Sequence, residues 1–171
     1  MVAMALPASL SAQSVTQGSS LSLTQDQPLR FGSFAVLDRG SKSVGALGTV
    51  VNEGLVPLGN LHENPAQFTL TWLRGDAGLQ PVTVVVQLAF GKAPAVTTGS
   101  INAQITAYET DLGGLTSITP GGGLTYTFAN CASASCSATF RVGARMDITA
   151  AGDGAPLTLA LPITARIMAE Y

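Results

Sequence analysis

Charge is scarce in this chain. Asp, Glu, Lys and Arg make up 11% of its 171 residues, against about a quarter in an ordinary globular domain. A helix-rich domain needs Glu, Lys and Arg on its solvent faces, and lysine occurs here only twice. The net charge is −2 and the basic residues are scattered, which removes the electrostatic footprint of a nucleic-acid or anionic-membrane binder. Histidine is represented by His62 alone, in NLHENP, where a solvated loop residue is a better reading than a general base. No serine stands in a G-x-S-x-G elbow. Asp38, Asp76, Asp111 and Asp153 fall in DRG, GDAG, TDLGG and GDG, which are turn signals; the alternating oxygen ligands of a calcium loop are absent. The glycines at 121–123 lead into a strand-like run, so they form a hairpin loop and not a phosphate cradle, which needs a helix behind it. No cofactor or metal is implied, and the chain is not expected to be an enzyme. No run reaches membrane-helix length, no segment has helical period with caps, and no repeat is visible.

Cysteine is equally sparse: Cys131 and Cys136 lie in NCASASC. A zinc site needs about four ligands and His62 cannot complete one. Four residues separate the thiols, where a thioredoxin-like pair has two. A local disulfide clasping a loop remains, which implies an oxidising compartment; two inert reduced thiols are the alternative.

What the chain does have is Gly, Pro, Ser, Thr and alternating apolar residues, the marks of short strands and turns. SLSLTQ at 20–25 alternates, and LRFGSFAV follows from Leu29, with Gly32 suggesting a bulge. DRGSKSVGALG (38–48) reads as a turn and a Gly-interrupted strand, and VVNEGLVPLGN as a weak strand and loop. AQFTLTWL (66–73) puts Phe68, Leu70 and Trp72 on one face. PVTVVVQLAF (81–90) is almost continuously apolar, which suits a strand buried on both faces. SINAQITAY (100–108) alternates Ile101, Ala103, Ile105 and Ala107. LTYTF (124–128) leads into the cysteine loop, and SATFRVGARMDIT (137–149) is long and interrupted by Gly143. Trp72 and Tyr108 as a carbohydrate platform is a weaker reading than core or cross-strand packing.

The last segment is the most regular. Leu157, Leu159, Leu161, Ile163, Ala165, Ile167, Ala169 and Tyr171 occupy every second position, predicting a core face on a strand of roughly 50 Å, long for a globular domain. Pro162 interrupts it as a bulge, a strand switch or an edge.

The amino terminus has two readings. MVAMALPASLSAQS is apolar and rich in small residues, like the tail of a secretory leader, though it has no basic n-region. Equally, Val2, Met4, Leu6, Ala8, Leu10 and Ala12 share the even positions, the period of a strand with one apolar face. Ala3, Ala5, Ser9 and Ser11 on the other face are small enough for a narrow slot. Both readings point to export. Residues 1–24 are therefore set apart as a leader remnant or amino-terminal extension, and 25–171 as the folded domain.

LRFGSFAV, PAQFTLTW and FRVGARMDITAAGDG…PITARIMAEY together resemble the DUF4402 family over about residues 20–171, which is similar in turn to spore coat protein U and to chaperone–usher pilins. Where such domains usually have a Gly-Tyr-x-Gly-like turn before the last strand, this chain has AAGDGAPLTL, and the cysteine pair is not a general family feature. The resemblance implies an all-β, immunoglobulin-like, pilin-like sandwich of about seven or eight strands that lacks one strand. It also implies a subunit of an extracellular pilus or fimbria, secreted through the periplasm of a Gram-negative bacterium with help from a periplasmic chaperone and an outer-membrane usher. Its partner would be itself, in a head-to-tail homopolymer made by donor-strand exchange. The resemblance makes residues 1–24 a leader remnant and/or donor strand: 2–12, with Val2, Met4, Leu6, Ala8, Leu10 and Ala12, if retained, and otherwise the more weakly alternating 13–24 that survives cleavage. The alternatives are a small outer-membrane β-barrel and a monomeric adhesin or binding module. Against the barrel, aromatics are only 6%, too few for two girdles.

Overall fold

A computed structural model describes residues 18–58, 63–75, 80–150 and 158–171. The donor candidates Val2, Met4, Leu6, Ala8, Leu10 and Ala12 lie outside the described residues, as do His62, most of GDAG, the GDG turn and Leu157.

Eleven strands follow one another without a helix. They are β1 (Ser20–Gln27), β2 (Phe34–Val44), β3 (Val50–Pro57), β4 (Ala66–Leu73), β5 (Val82–Phe90), β6 (Val96–Thr98), β7 (Ile101–Thr110), β8 (Thr116–Ile118), β9 (Gly123–Cys131), β10 (Ser135–Ala150) and β11 (Ile163–Glu170). Two sheets form from them. The larger contains β1-β4-β10-β2-β3, with β7 also on β10 and the short β6 and β8 on β7; the smaller is β11-β5-β9. The chain is thus an all-β sandwich. Both sheets are open among the described residues, so the barrel alternative is set aside.

The spine of the large sheet is β10. Residues 135–142 pair with β4, 144–149 with β2 and 142–150 with β7, all antiparallel. Its even positions point inward: Phe140, Val142, Ala144, Met146, Ile148 and Ala150 are buried while Arg141, Arg145, Asp147 and Thr149 are exposed. Beside it in the same sheet stands the row Ala66, Phe68, Leu70 and Trp72 of β4, and facing both from the small sheet is Val84, Val86, Leu88 and Phe90 of β5, each at most 4% exposed. Phe68 stacks on Phe140 with centroids 5.7 Å apart. Period-two alternation therefore builds one shared core.

Gly143 explains the interruption of that row. Its β7 partner is Glu109, whose carboxylate accepts a 2.8 Å bond from the Ala46 amide. A Cβ at Gly143 would sit 2.1 Å from the Val44 carbonyl oxygen and 2.6 Å from the Ala46 nitrogen. Only a residue without a side chain admits this backbone crossing. A similar approach shapes the β2–β3 hairpin, where Gly54 has φ +66° and Gly40 lies against Leu55 and the Glu53 carbonyl. Three extra β2 residues bulge out between the Val36↔Leu55 and Ser41↔Glu53 pairs.

Several expectations need correction. The domain boundary at 24/25 falls inside β1, which pairs with β4 from Ser20 onward; the second donor candidate, 13–24, thus overlaps a strand of this chain's own sheet. The turn expected at DRG, before the strand also expected there, is itself strand, because the bulge absorbs its glycine. β5 is buried on one face only: Thr83, Val85 and Gln87 are half-buried and Ala89 is exposed, because nothing described covers the outer face of the small sheet. In β7 a bulge at Thr106 moves the inward face from Ile105 to Tyr108 and Thr110. The long final strand shrinks to β11, because Pro162 has no amide hydrogen for the ladder and instead offers its carbonyl to the Gly91 amide at 2.7 Å.

Candidate strand-acceptor site

The two sheets each end in an unpaired strand on the same side of the sandwich. Among the described residues β1 pairs only with β4, and β11 only with β5. They meet at one end, where Glu170 Oε1 accepts hydrogen bonds from Ser19 Oγ at 2.5 Å and Trp72 Nε1 at 2.8 Å. The start of β1 therefore lies beside the end of β11. Glu170 turns inward because a bulge at Met168 shifts the register between Ile167↔Val86 and Ala169↔Val85. The same bulge turns Tyr171 out to 76% exposure, so Tyr171 does not belong to the core face.

Between the two edges lies a seam of apolar side chains that are packed against the core without being covered. Leu21 and Leu23 come from β1, Leu29 and Phe31 from the segment after it, Leu159 and Leu161 from the approach to β11, and Ile163, Ala165 and Ile167 from β11 itself. All are half-buried. One strand further in, Leu70, Val86 and Leu88 are completely buried. Phe31 and Leu159 touch both the main core and a smaller cluster around Leu55, Ile101 and Met146. Such a strip with unpaired backbone on both flanks is a template for another strand.

The opposite side of the sandwich is finished differently. There the small sheet ends in β9, whose Leu124, Tyr126 and Phe128 face the core. Leu112 and Ile118, from the turn before β8 and from β8, plug that side at 7% exposure each. The chain then passes from β9 to β10 through the Cys131–Cys136 disulfide, Cα atoms 6.1 Å apart. The expected clasp is present, and it ties the far edge of one sheet to the spine of the other.

Trp72 and Tyr108 are core residues, each 1% exposed, and not a carbohydrate platform. Tyr108 donates its hydroxyl to the Gly91 carbonyl at 2.9 Å, and burial pushes its phenol up.

Polar chemistry concentrates in two other places. Lys42, on the inner face of β2, is fully buried and pairs with Glu63 at 2.5 Å, its ammonium 5.3 Å from the Phe34 ring centroid. On the outer face of the large sheet, an open cleft of about 580 Å³ is lined by Arg39, Glu53, Asn102, Gln104, Arg145 and Asp147 among others. Arg145 there holds Glu53 at 2.9 Å and Asp147 at 3.2 Å. The Ser41 hydroxyl, 2.8 Å away, and then the Arg145 charge hold the Glu53 carboxyl below its usual range. Hydrogen bonding to Asp147 and the charge of Glu53 raise Arg145. Among the described residues no three His, Cys, Asp or Glu side chains converge as a metal site would.

Of the residues singled out from sequence, Leu159, Leu161, Ile163, Ala165 and Ile167 come together along the seam, and Cys131 and Cys136 bond to each other. Glu170 and Lys42 were not foreseen. Glu170 falls on the polar face of an unbroken alternation, and nothing in the sequence marks the bulge that turns it in. Lys42 finds its partner 21 residues away in a loop.

The model of DUF4402, a domain of unknown function, matches residues 21–155, and the chain belongs to that family. The matched stretch begins in β1 and stops before β11. No curated protein and no solved structure matches the chain.

Proposed function

We propose that this chain is a structural subunit of an extracellular bacterial filament, a pilus or fimbria, and that it polymerises by donating a strand to its neighbour. The observation that carries this reading is the half-buried seam flanked by the unpaired edges of β1 and β11. A neighbour's residues 2–12 suit it. Val2, Met4, Leu6, Ala8, Leu10 and Ala12 would enter over Leu21, Leu23, Ile163, Ala165 and Ile167, while main-chain groups pair with an open edge. At about 3.3 Å per residue the donor spans roughly 36 Å, close to the roughly 40 Å available from Leu159 to Glu170. Five or six side chains at about 1.5–3 kcal/mol each give on the order of 10 kcal/mol before association costs. Donation of one copy's end into another copy's seam is heterologous and non-closing, so it propagates as a fibre. The disulfide fits export through an oxidising periplasm, where a chaperone would cover the seam and an outer-membrane usher would pass subunits to the surface.

The test is deletion of residues 1–17, which leaves β1 whole. Negative-stain micrographs of the full chain are expected to show thin regular fibres, and those of the truncated chain none. Fibres from the truncated chain would refute donation from this end; discrete monomers from the full chain under all conditions would favour a self-contained binding module.

A further inference from the structure

We propose that Lys42 and Asn52 join in an intramolecular isopeptide bond, with Glu63 carrying the protons. The bond does not depend on strand donation; it follows from what lies on the inner face of the β2–β3 hairpin. Lys42 is completely buried there. Its neighbours across the ladder are Met146 of β10 on one side and Asn52 of β3 on the other. The ammonium contacts the Glu63 carboxylate at 2.5 Å, whose own side chain is 10% exposed, and lies 5.3 Å from the Phe34 ring centroid. Asn52 Oδ1 is buried as well, and it accepts no hydrogen bond among the described residues. One desolvated charge pair and one unpaired acceptor are each costly, and Lys42 is neighbour to both partners.

Opposite residues of an antiparallel pair point to the same face with Cβ atoms about 4.5–5.5 Å apart. The lysine stem adds about 5 Å of reach beyond Cβ, so rotation of its outer bonds carries Nζ from Glu63 to the Asn52 carboxamide carbon. Within the buried pair the ammonium passes a proton to Glu63, leaving an amine and an acid, the neutral forms that an apolar interior favours. The Nζ lone pair attacks Cγ of Asn52. Glu63 gives its acid proton to the departing carboxamide nitrogen and takes one back from Nζ. One C–N bond forms, one breaks, ammonia leaves, and Glu63 ends protonated as it began. In the product that acid donates to Asn52 Oδ1, so neither a buried charge nor an unpaired oxygen is left. β3 is an outer strand of the large sheet, and the bond ties it to β2 two residue pairs from the Val44↔Val50 pair that meets the turn. Closing so short a loop constrains the unfolded chain less than a long-range link does; what the bond prevents is the edge strand peeling away.

The experiment is mass spectrometry of the full chain, folded, purified and incubated at neutral pH. With the disulfide counted, wild type is expected to be lighter than its sequence by one ammonia. Trypsin, which cleaves after a free lysine, is expected to leave the peptide 40–74 uncut at Lys42, and a further cut after Leu47 should leave the two pieces joined. The full sequence mass overturns the bond. So does ammonia loss with Lys42 still cleaved, which a succinimide at Asn52 would give, and so does loss of water, which a bond to Glu63 would give. Asn52→Ala leaves the ion pair in place and is expected to keep its full mass; ammonia loss from it places the reaction elsewhere and overturns the assignment. Glu63→Gln and Glu63→Asp, checked for folding by circular dichroism, are each expected to slow the loss at least tenfold. Loss at the wild-type rate from either folded variant overturns the role of Glu63, while the wild-type mass decides the bond itself whether or not a variant folds.

Discussion

The proposed head-to-tail donation would make the two halves of one junction separately removable, and the sharpest prediction exploits that. Leu6→Asp spoils the donor and leaves the acceptor seam intact; Ala165→Asp spoils the acceptor and leaves the donor intact. In the seam, Ala165 lies opposite Leu88 of β5 and is half-buried, so an inserted strand would close over it. A carboxylate trapped there escapes its desolvation by taking a proton. From an ordinary pKa near 3.9 that costs about three units at pH 7, or about 4 kcal/mol. The junction should weaken by roughly a thousandfold. Leu6→Asp adds the lost burial of a leucine, about 2 kcal/mol, for a total of about 6 kcal/mol. Folding of the Ala165→Asp subunit is expected to survive, because the new carboxylate can turn toward the open side. Each variant alone should fail to form fibres. Mixed one to one, the intact donor of the second should enter the intact acceptor of the first and stop, giving dimers by light scattering and no fibres by microscopy. Fibres from either variant alone, or a mixture that stays wholly monomeric, would refute a junction built from residues 2–12 and β11.

Three further outcomes follow from the packing. Lys42→Ala leaves Glu63 inside without its ammonium, and a broken buried pair costs about 3–5 kcal/mol; Lys42→Met with Glu63→Gln, which strands no charge, should recover most of the loss in a urea titration. Gly143→Ala drives a methyl into the Val44 carbonyl at 2.1 Å, so a loss of about 3 kcal/mol or more is expected in the same assay, and a neutral result would mean that β2 does not cross there. Glu53 has a carboxyl pKa lowered in the folded state from 4.5, so its contribution to stability is present above about pH 4.5 and fades as pH falls through the lowered value; Glu53→Gln should flatten that part of the pH–stability curve, and an unchanged curve would show the Ser41–Glu53–Arg145 contact to be idle.

The strands that pack the centre were legible because their alternation is the packing. Phe68, Leu70 and Trp72 share a face, as do Val84, Val86, Leu88 and Phe90, and each row is the wall of the core. Errors arose where the backbone changes register. At Thr106 and Met168 one extra residue reverses which side chains look inward, and no residue type announces it, since neither position is Gly or Pro. The β2 stretch DRG was misread because Gly40 signals a turn locally, while its role is to let Glu53 and Leu55 approach from the partner strand. Pro162 was legible as an interruption, but the alternation continues through it and hid the point where the ladder starts. The seam itself was half visible: the row Ile163, Ala165, Ile167 could be read, whereas its facing row, Leu21 and Leu23, lies in a stretch that had been assigned to the extension.

The two edges of the small sheet differ in what supports them, and the difference bears on the proposed exchange. Both β9 and β11 are outer strands among the described residues, and each faces the core with partly buried apolar side chains. β9 is backed by Leu112 and Ile118 and is anchored to β10 by a disulfide five residues long; a guest strand there would have to displace buried side chains. β11 pairs with no described strand but β5, and hydrogen bonds converging on Glu170 join its far end to Ser19 and to Trp72 of β4. In the proposed junction a strand would add beside β11 without displacing the β11–β5 pairing. Under the proposed donation, exchange at that edge would cost mainly what the strand itself contributes, which is what a subunit stable before and after linking requires.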